Sequence, residues 1–255
     1  MAREGSASSD RRGEISAALH EVRQRIAAAC AAAGRSPDEI TLIAVTKTRP
    51  VSDIALLCEL GVPDIGENRD QEARAKADQA AALGLRPAWH FIGQLQARKA
   101  ASVVSYASVV HSVDRMRLVE SLAARARALH KTVICLVQVN LDEPGPPAAG
   151  PVTRGGADPQ EVRALADAIA AEGPAGPGEG GLVLGGVMAV APLGRPPAPA
   201  FARLAGVAAQ VRARHPAATV ISAGMSGDLE EAVAAGATHL RIGTALLGGR
   251  PDFVR

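Results

Sequence analysis

Ile40-Thr41-Leu42-Ile43-Ala44-Val45-Thr46-Lys47 is an apolar run, rich in β-branched residues, that ends on a lysine. It is too short for a buried helix and reads as a strand of a parallel sheet, covered on both faces. The residue that closes it is rare in this chain, which holds four lysines against twenty-four arginines. A guanidinium stays charged at any working pH, whereas a desolvated primary amine can lose its proton and attack a carbonyl. A strand-end lysine that snorkels to solvent fits this segment equally well. The rest of the chain decides between the two readings.

Outward from that strand the same alternation repeats. A helix over about 14–33, with Ile15, Leu19, Val22 and Ile26 at helical spacing and Gly34 as its stop, precedes it. Further strand-like runs fall at 64–66, 89–93, 108–113, 132–140, 182–190, 219–223 and 239–243. Helical patterns lie between them at 51–60, 69–83, from near Gln96, and at 116–130, 159–171, 199–214 and 227–235. The longest loop is a Gly/Pro-rich stretch at 142–156. Strands alternating with helices imply a parallel sheet, and eight such units in 255 residues suit a single (β/α)8 TIM-type barrel, which typically needs ~250. The expectation is an α/β barrel over 13–255 with an extra N-terminal helix, after a disordered arm at 1–12. An open doubly wound sheet is the alternative, weakened by the lack of G-x-G-x-x-G after the first strand and of a G-x-x-x-x-G-K-[ST] loop. Only a short tail, 245–255, follows the last strand, so no second domain is expected.

Composition narrows the function classes. Apolar residues make up 47% of the chain but aromatics only 2%, so Ala, Val and Leu must fill the core. A net charge of +2, without a basic block or aromatic platform, argues against nucleic acid. Cys30, Cys58 and Cys135 are widely spaced and odd in number, which suits a reducing compartment rather than a disulfide framework or structural zinc. With no apolar leader and no run of ~18 apolar residues, a cytoplasmic protein without a membrane span is expected.

In such a barrel the chemistry sits at the C-terminal ends of the strands, and phosphate in the loops after strands seven and eight. Strand seven runs out into Ser222-Ala223-Gly224-Met225-Ser226-Gly227-Asp228, a small-residue turn that bares backbone N–H groups and a hydroxyl. Strand eight ends in Arg241-Ile242-Gly243-Thr244, beside Lys47 once the barrel closes. An amine, an anion cradle and an arginine between them suit a phosphorylated aldehyde, for which pyridoxal 5′-phosphate is the obvious candidate.

These residues also carry a resemblance. The segments 44–47 (AVTK), 66–68 (GEN), 71–72 (QE), 89–93 (WHFIG), 111–114 (HSVD) and 138–140 (QVN) are followed by 186–189 (GVMA), 224–229 (GMSGDL) and 241–245 (RIGTA). In this order, over roughly 14–250, the chain resembles the YggS/PROSC family of pyridoxal phosphate homeostasis proteins, which look like the N-terminal barrel of alanine racemase. The resemblance implies that Lys47 holds the cofactor as an internal aldimine, with Ser226, Gly243 and Thr244 at its phosphate. It places Arg241 against the pyridine nitrogen, Asn68 near the phenolic oxygen and Met225 along the phosphate turn.

An arginine facing that nitrogen can only donate, so the ring is a weak electron sink. Racemisation also needs an acid/base on the face opposite the lysine. In alanine racemase that group comes from a second domain, which is not expected here, and the only tyrosine of this sequence, Tyr106, reads as a packing residue. The expected function is therefore a non-catalytic carrier in vitamin B6 homeostasis, monomeric, with pyridoxal-phosphate-dependent apo-enzymes as recipients. Alternatives are a low-activity racemase or lyase using the same cofactor, or a cofactor-free Schiff-base aldolase. His90, His111, Glu67, Glu72 and Cys135 read as barrel or orienting residues.

Overall fold

The structure, a computed structural model, describes residues 2–142 and 155–249. Eight parallel strands close a barrel in chain order: β1 (Thr41–Val45), β2 (Asp64–Glu67), β3 (Ala88–Phe91), β4 (Val109–Val113), β5 (Thr132–Gln138), β6 (Gly181–Met188), β7 (Val220–Ser222) and β8 (His239–Ile242). The ring closes through β1 on β8, with Ile43 opposite Arg241. The helices are α1 (Ala2–Ala32), α2 (Val51–Glu59), α3 (Asp70–Ala82), α4 (Ala100–Tyr106), α5 (Met116–Ala128), α6 (Val162–Ala171), α7 (Pro197–Arg214), α8 (Leu229–Ala234) and α9 (Thr244–Leu247). The TIM-type barrel is thus the observed fold and the open sheet is not. Among the described residues no helix is long and apolar enough to cross a membrane.

The alternation of side chains along each strand builds two cores. Outward-facing Ala44, Ile65, Trp89, Phe91, Val110 and Val133 meet the helices in one continuous apolar layer. Inside the ring the apolar filling is small: Val109, Leu136 and Met188 cluster there, with Val190 and Val220 packed against them. Ile43 and Val45 add to it from β1, and the buried His90, His111, Ser222 and Arg241 make the polar part of the interior that belongs to the site described below.

The extra helix reaches further back than the sequence pattern indicates, to Ala2 rather than about residue 14. Ile15, Leu19, Val22 and Ile26 are buried on one face, as their spacing predicts. From the same helix Arg11 pairs with Asp53 at 2.7 Å and donates to Leu247 O, and Arg25 pairs with Glu230 at 2.8 Å and donates to Ser226 O. The helix therefore braces the turns after β7 and β8. Of the Gly/Pro-rich stretch at 142–156, residues 143–154 lie outside the described residues.

Two boundaries differ in ways that matter. β1 ends at Val45, and Lys47 stands in a turn rather than closing the strand. The Thr46 N–H still bonds Gly66 O, but Thr46 O turns to accept from Arg49 N–H at 2.9 Å. β6 carries an extra residue: Cys135 pairs with Leu184 but Leu136 with Gly186, leaving Gly185 as a bulge.

Candidate functional site

Strand alternation puts Ile43 and Val45 on the inner face of β1, and Lys47 continues that face into the turn. Lys47 is half-buried, and its amine has no hydrogen bond or ion pair among the described residues. A cavity of about 280 Å³ opens over it, lined by Lys47, Met225, Ser226, Arg241, Gly243 and Thr244. Six of the seven residues singled out in the sequence thus meet in one place. Asn68, the seventh, lies in a neighbouring cleft with Phe91 and Gln94 instead. Its Oδ1 is buried and has no hydrogen-bond partner among the described residues.

The turn after β7 is shaped by its small residues. Gly224 has φ +90, and a Cβ there would stand 2.6 Å from the Ala232 side chain, so only glycine fits. The Asp228 carboxylate accepts from Met225 N–H at 2.6 Å and holds the turn open. Ser226 Oγ accepts from Ala245 N–H at 3.1 Å, tying this turn to the one after β8. The N–H groups of Ser226, Gly227, Gly243 and Thr244 find no acceptor among the described residues. Four such donors and two hydroxyls thus belong to residues that line one cavity, where an anion could take them.

Arg241 forms the floor. It is 4% exposed, and burial pushes its guanidinium down to about 10. One Nη donates to Ser222 Oγ at 2.6 Å and the other to Ala189 O at 2.9 Å, while Nε has no partner among the described residues. Because a guanidinium only donates, Ser222 turns its own hydrogen to His111 Nδ1 at 3.0 Å. His111 then donates from Nε2 to His90 Nδ1 at 2.9 Å, and His90 from Nε2 to Asp64 Oδ1 at 3.0 Å. The cation at one end and the carboxylate at the other orient the whole row, with one hydrogen on each imidazole. His90 and His111 are barrel histidines, 3% and 0% exposed.

That interior makes the fold sensitive to mild acid. Burial pushes His111 well below its ordinary value, and burial with the nearby His90 pushes His239 down to about 4. A base depressed in the folded state contributes its full stability above the ordinary value near 6.5 and loses it as pH falls toward the folded value. For His239 the window runs from about 6.5 to about 4, so stability should fall by up to ~1.4 kcal/mol per pH unit for each of the two imidazoles. The carboxylates held low by cationic partners, Glu72 by Lys76 and Glu230 by Arg25, give up their contribution only below the ordinary carboxylate range. Urea midpoints that stay level between pH 6.5 and 5 would rule this out.

One group escaped the sequence reading. Lys76 on α3 is 7% exposed, and its ammonium lies 2.7 Å from each of Glu67 Oε1, Glu72 Oε1 and Thr46 O. Thr46 Oγ1 donates to the same Glu67 oxygen at 2.6 Å, and burial pushes the Glu67 carboxyl up. Glu72 also accepts from Thr48 N–H at 2.5 Å. The available signal was a Glu and a Lys four apart on one helix in a chain with few lysines. What it acts on, the backbone on either side of Lys47, is distant in sequence.

Residues 18–251 match the family described as alanine racemase, N-terminal domain. A pyridoxal phosphate homeostasis protein of Mycobacterium tuberculosis is 42% identical over 264 residues, covering 98% of each chain. Its counterpart in Escherichia coli is 37% identical over 247 residues, covering 93% of this chain and 97% of that one. Among solved structures, PipY of Synechococcus elongatus with PLP bound superposes with a TM-score of 0.74 at 31% identity. That match covers 92% of this chain and all of the other.

Proposed function

This chain belongs to the family of pyridoxal phosphate homeostasis proteins built on the alanine racemase N-terminal domain, and from that premise we propose that its cavity holds pyridoxal 5′-phosphate on Lys47. One observation carries the reading: Lys47, whose amine is unpartnered among the described residues, lines the same cavity as Ser226, Gly227, Gly243 and Thr244, whose N–H groups find no acceptor among them. When bound, the cofactor supplies an aldehyde carbon that bonds a neutral primary amine, its oxygen leaving as water with the two amine protons. The chain's own groups suit the rest of the molecule. Ser226, Thr244 and the four N–H groups would take the phosphate, with Gly243 presenting bare backbone at the cavity wall. Arg241 would present its Nε–H to the ring nitrogen and leave it without a proton of its own.

The same residues favour carriage over turnover. Tyr106 is turned away from the cavity, edge-on to Trp89 at 6.4 Å and donating to Asp70 Oδ1 at 3.4 Å. Burial raises its phenol far above the usual range. That leaves no acid/base of the racemase kind facing Lys47 among the lining residues. The protein would act in the cytoplasm as a monomer that supplies the cofactor to dependent apo-enzymes.

The test is a titration followed by visible absorption, with pyridoxal 5′-phosphate and with phosphate-free pyridoxal. A visible band should saturate with the phosphorylated aldehyde. Ser226→Ala and Thr244→Ala should each weaken its binding by roughly tenfold, the loss of one hydrogen bond to a charged group. The absence of any band in excess cofactor would reject the assignment. Steady production of an altered amino acid would reject the carrier role while keeping the cofactor.

A further inference from the structure

The backbone around Lys47 is held in an unfavourable shape by side chains from a different element. Thr46 to Arg49 form a turn closed by Arg49 N–H on Thr46 O, with Lys47 and Thr48 at its centre. Thr48 has φ +65. That conformation suits glycine at the third position of a turn and is strained for a β-branched residue. Such strain persists only where the surroundings over-determine it.

Here they do. Glu72 accepts from Thr48 N–H at 2.5 Å on one side of Lys47, and Lys76 donates to Thr46 O at 2.7 Å on the other. Lys76 joins the two arms, since it also binds Glu72 and Glu67, and Glu67 takes the Thr46 hydroxyl. An ammonium has three hydrogens and this one meets three acceptors, so it has no capacity left for a ligand. The network lies on the outer face of β1, toward α3, opposite the face that carries Lys47.

We infer that Glu72 and Lys76 are positioning residues: they clamp Thr46 and Thr48 so that the intervening Lys47 is aimed into the cavity. The inference rests on the assignment of Lys47 above. It explains why a buried ion cluster stands behind the barrel wall, and why a threonine rather than a glycine can follow the lysine. Without the clamp, Thr48 relaxes toward negative φ and the amine swings off its line of approach.

Lys76→Met leaves the buried Glu67 uncompensated and can unfold the barrel, so Glu72→Ala is the cleaner variant: it removes the Thr48 acceptor while Lys76 keeps two partners. In folded Glu72→Ala the visible band should grow on the order of tenfold more slowly at equal cofactor, the penalty of misplacing a reacting group. Adding Thr48→Gly should recover most of that rate, because glycine adopts positive φ unaided; loss of packing alone would not be rescued this way. A wild-type rate in Glu72→Ala, or no recovery with Thr48→Gly, overturns the inference. Hydrogen exchange at the Thr48 amide gives a readout that needs no cofactor. It should be at least about tenfold faster in Glu72→Ala than in wild type, and equal rates overturn the clamp. Absence of the band in the wild-type protein would instead sink the cofactor assignment, leaving the amide exchange to decide whether the clamp exists.

Discussion

Lys47→Ala should abolish the visible band outright and weaken retention of pyridoxal 5′-phosphate by roughly a hundredfold or more, about 2.8 kcal/mol. None of the other three lysines can substitute. Of the remaining lysines, Lys76 is spent on three oxygens behind the wall, Lys131 donates to Val104 O and Ser105 O, and Lys99 lies in the neighbouring cleft. The fold should be indifferent, since the half-buried Lys47 side chain makes no hydrogen bond or ion pair that the substitution would break. Phosphate contacts persist in the variant, so weak residual binding without a band is the expected signature. A band that survives in Lys47→Ala would move the linkage to another residue.

Gly186→Ala should cost about 4 kcal/mol or more, lowering the melting temperature by roughly 8–16 °C for a chain of this size. Gly186 has φ +147, and a Cβ there would lie 2.0 Å from Val220 O, a backbone atom of the adjacent strand that cannot step aside. The position also matters to the site. The bulge at Gly185 flips the side-chain alternation of β6, so that Leu184 and Val187 both face the helices while Met188 faces inward. Beyond it, Ala189 O meets Arg241 at 2.9 Å. Damage at Gly186 should therefore loosen the arginine as well as the barrel. Gly206→Ala is the control of opposite sign: it lies within α7 with nothing within 4 Å of a Cβ, and should stabilise by roughly 0.5–1 kcal/mol. Equal melting temperatures for Gly186→Ala and wild type would refute the argument.

The local chemistry was legible because it is written in contiguous residues. The period of apolar positions named the eight strands, and the segments at 224–228 and 241–244 carried the anion turns with their glycines. Lys47 could be singled out by residue type alone in an arginine-rich chain. Asn68 shows the limit: its place in an ordered motif suggested the same cavity, but the turn after β2 sends it into the cleft next door. The start of α1 was blurred for another reason, since the charged and serine-rich residues before Glu14 carry no apolar stripe to betray a helix.

The sequence by itself determined the barrel, the order of its strands and the residue types at their C-terminal ends. Hydrophobic periodicity and turn residues act over a few positions, and a parallel βα repeat admits few closures. Only the tertiary structure decided how those ends are aimed. The orientation of Arg241 depends on Ser222, His111, His90 and Asp64, one residue from each of four other strands. That of Lys47 depends on a helix that begins more than twenty residues later. Buried polar groups must find partners wherever the closed ring brings them, and contacts of that range leave no period in the chain.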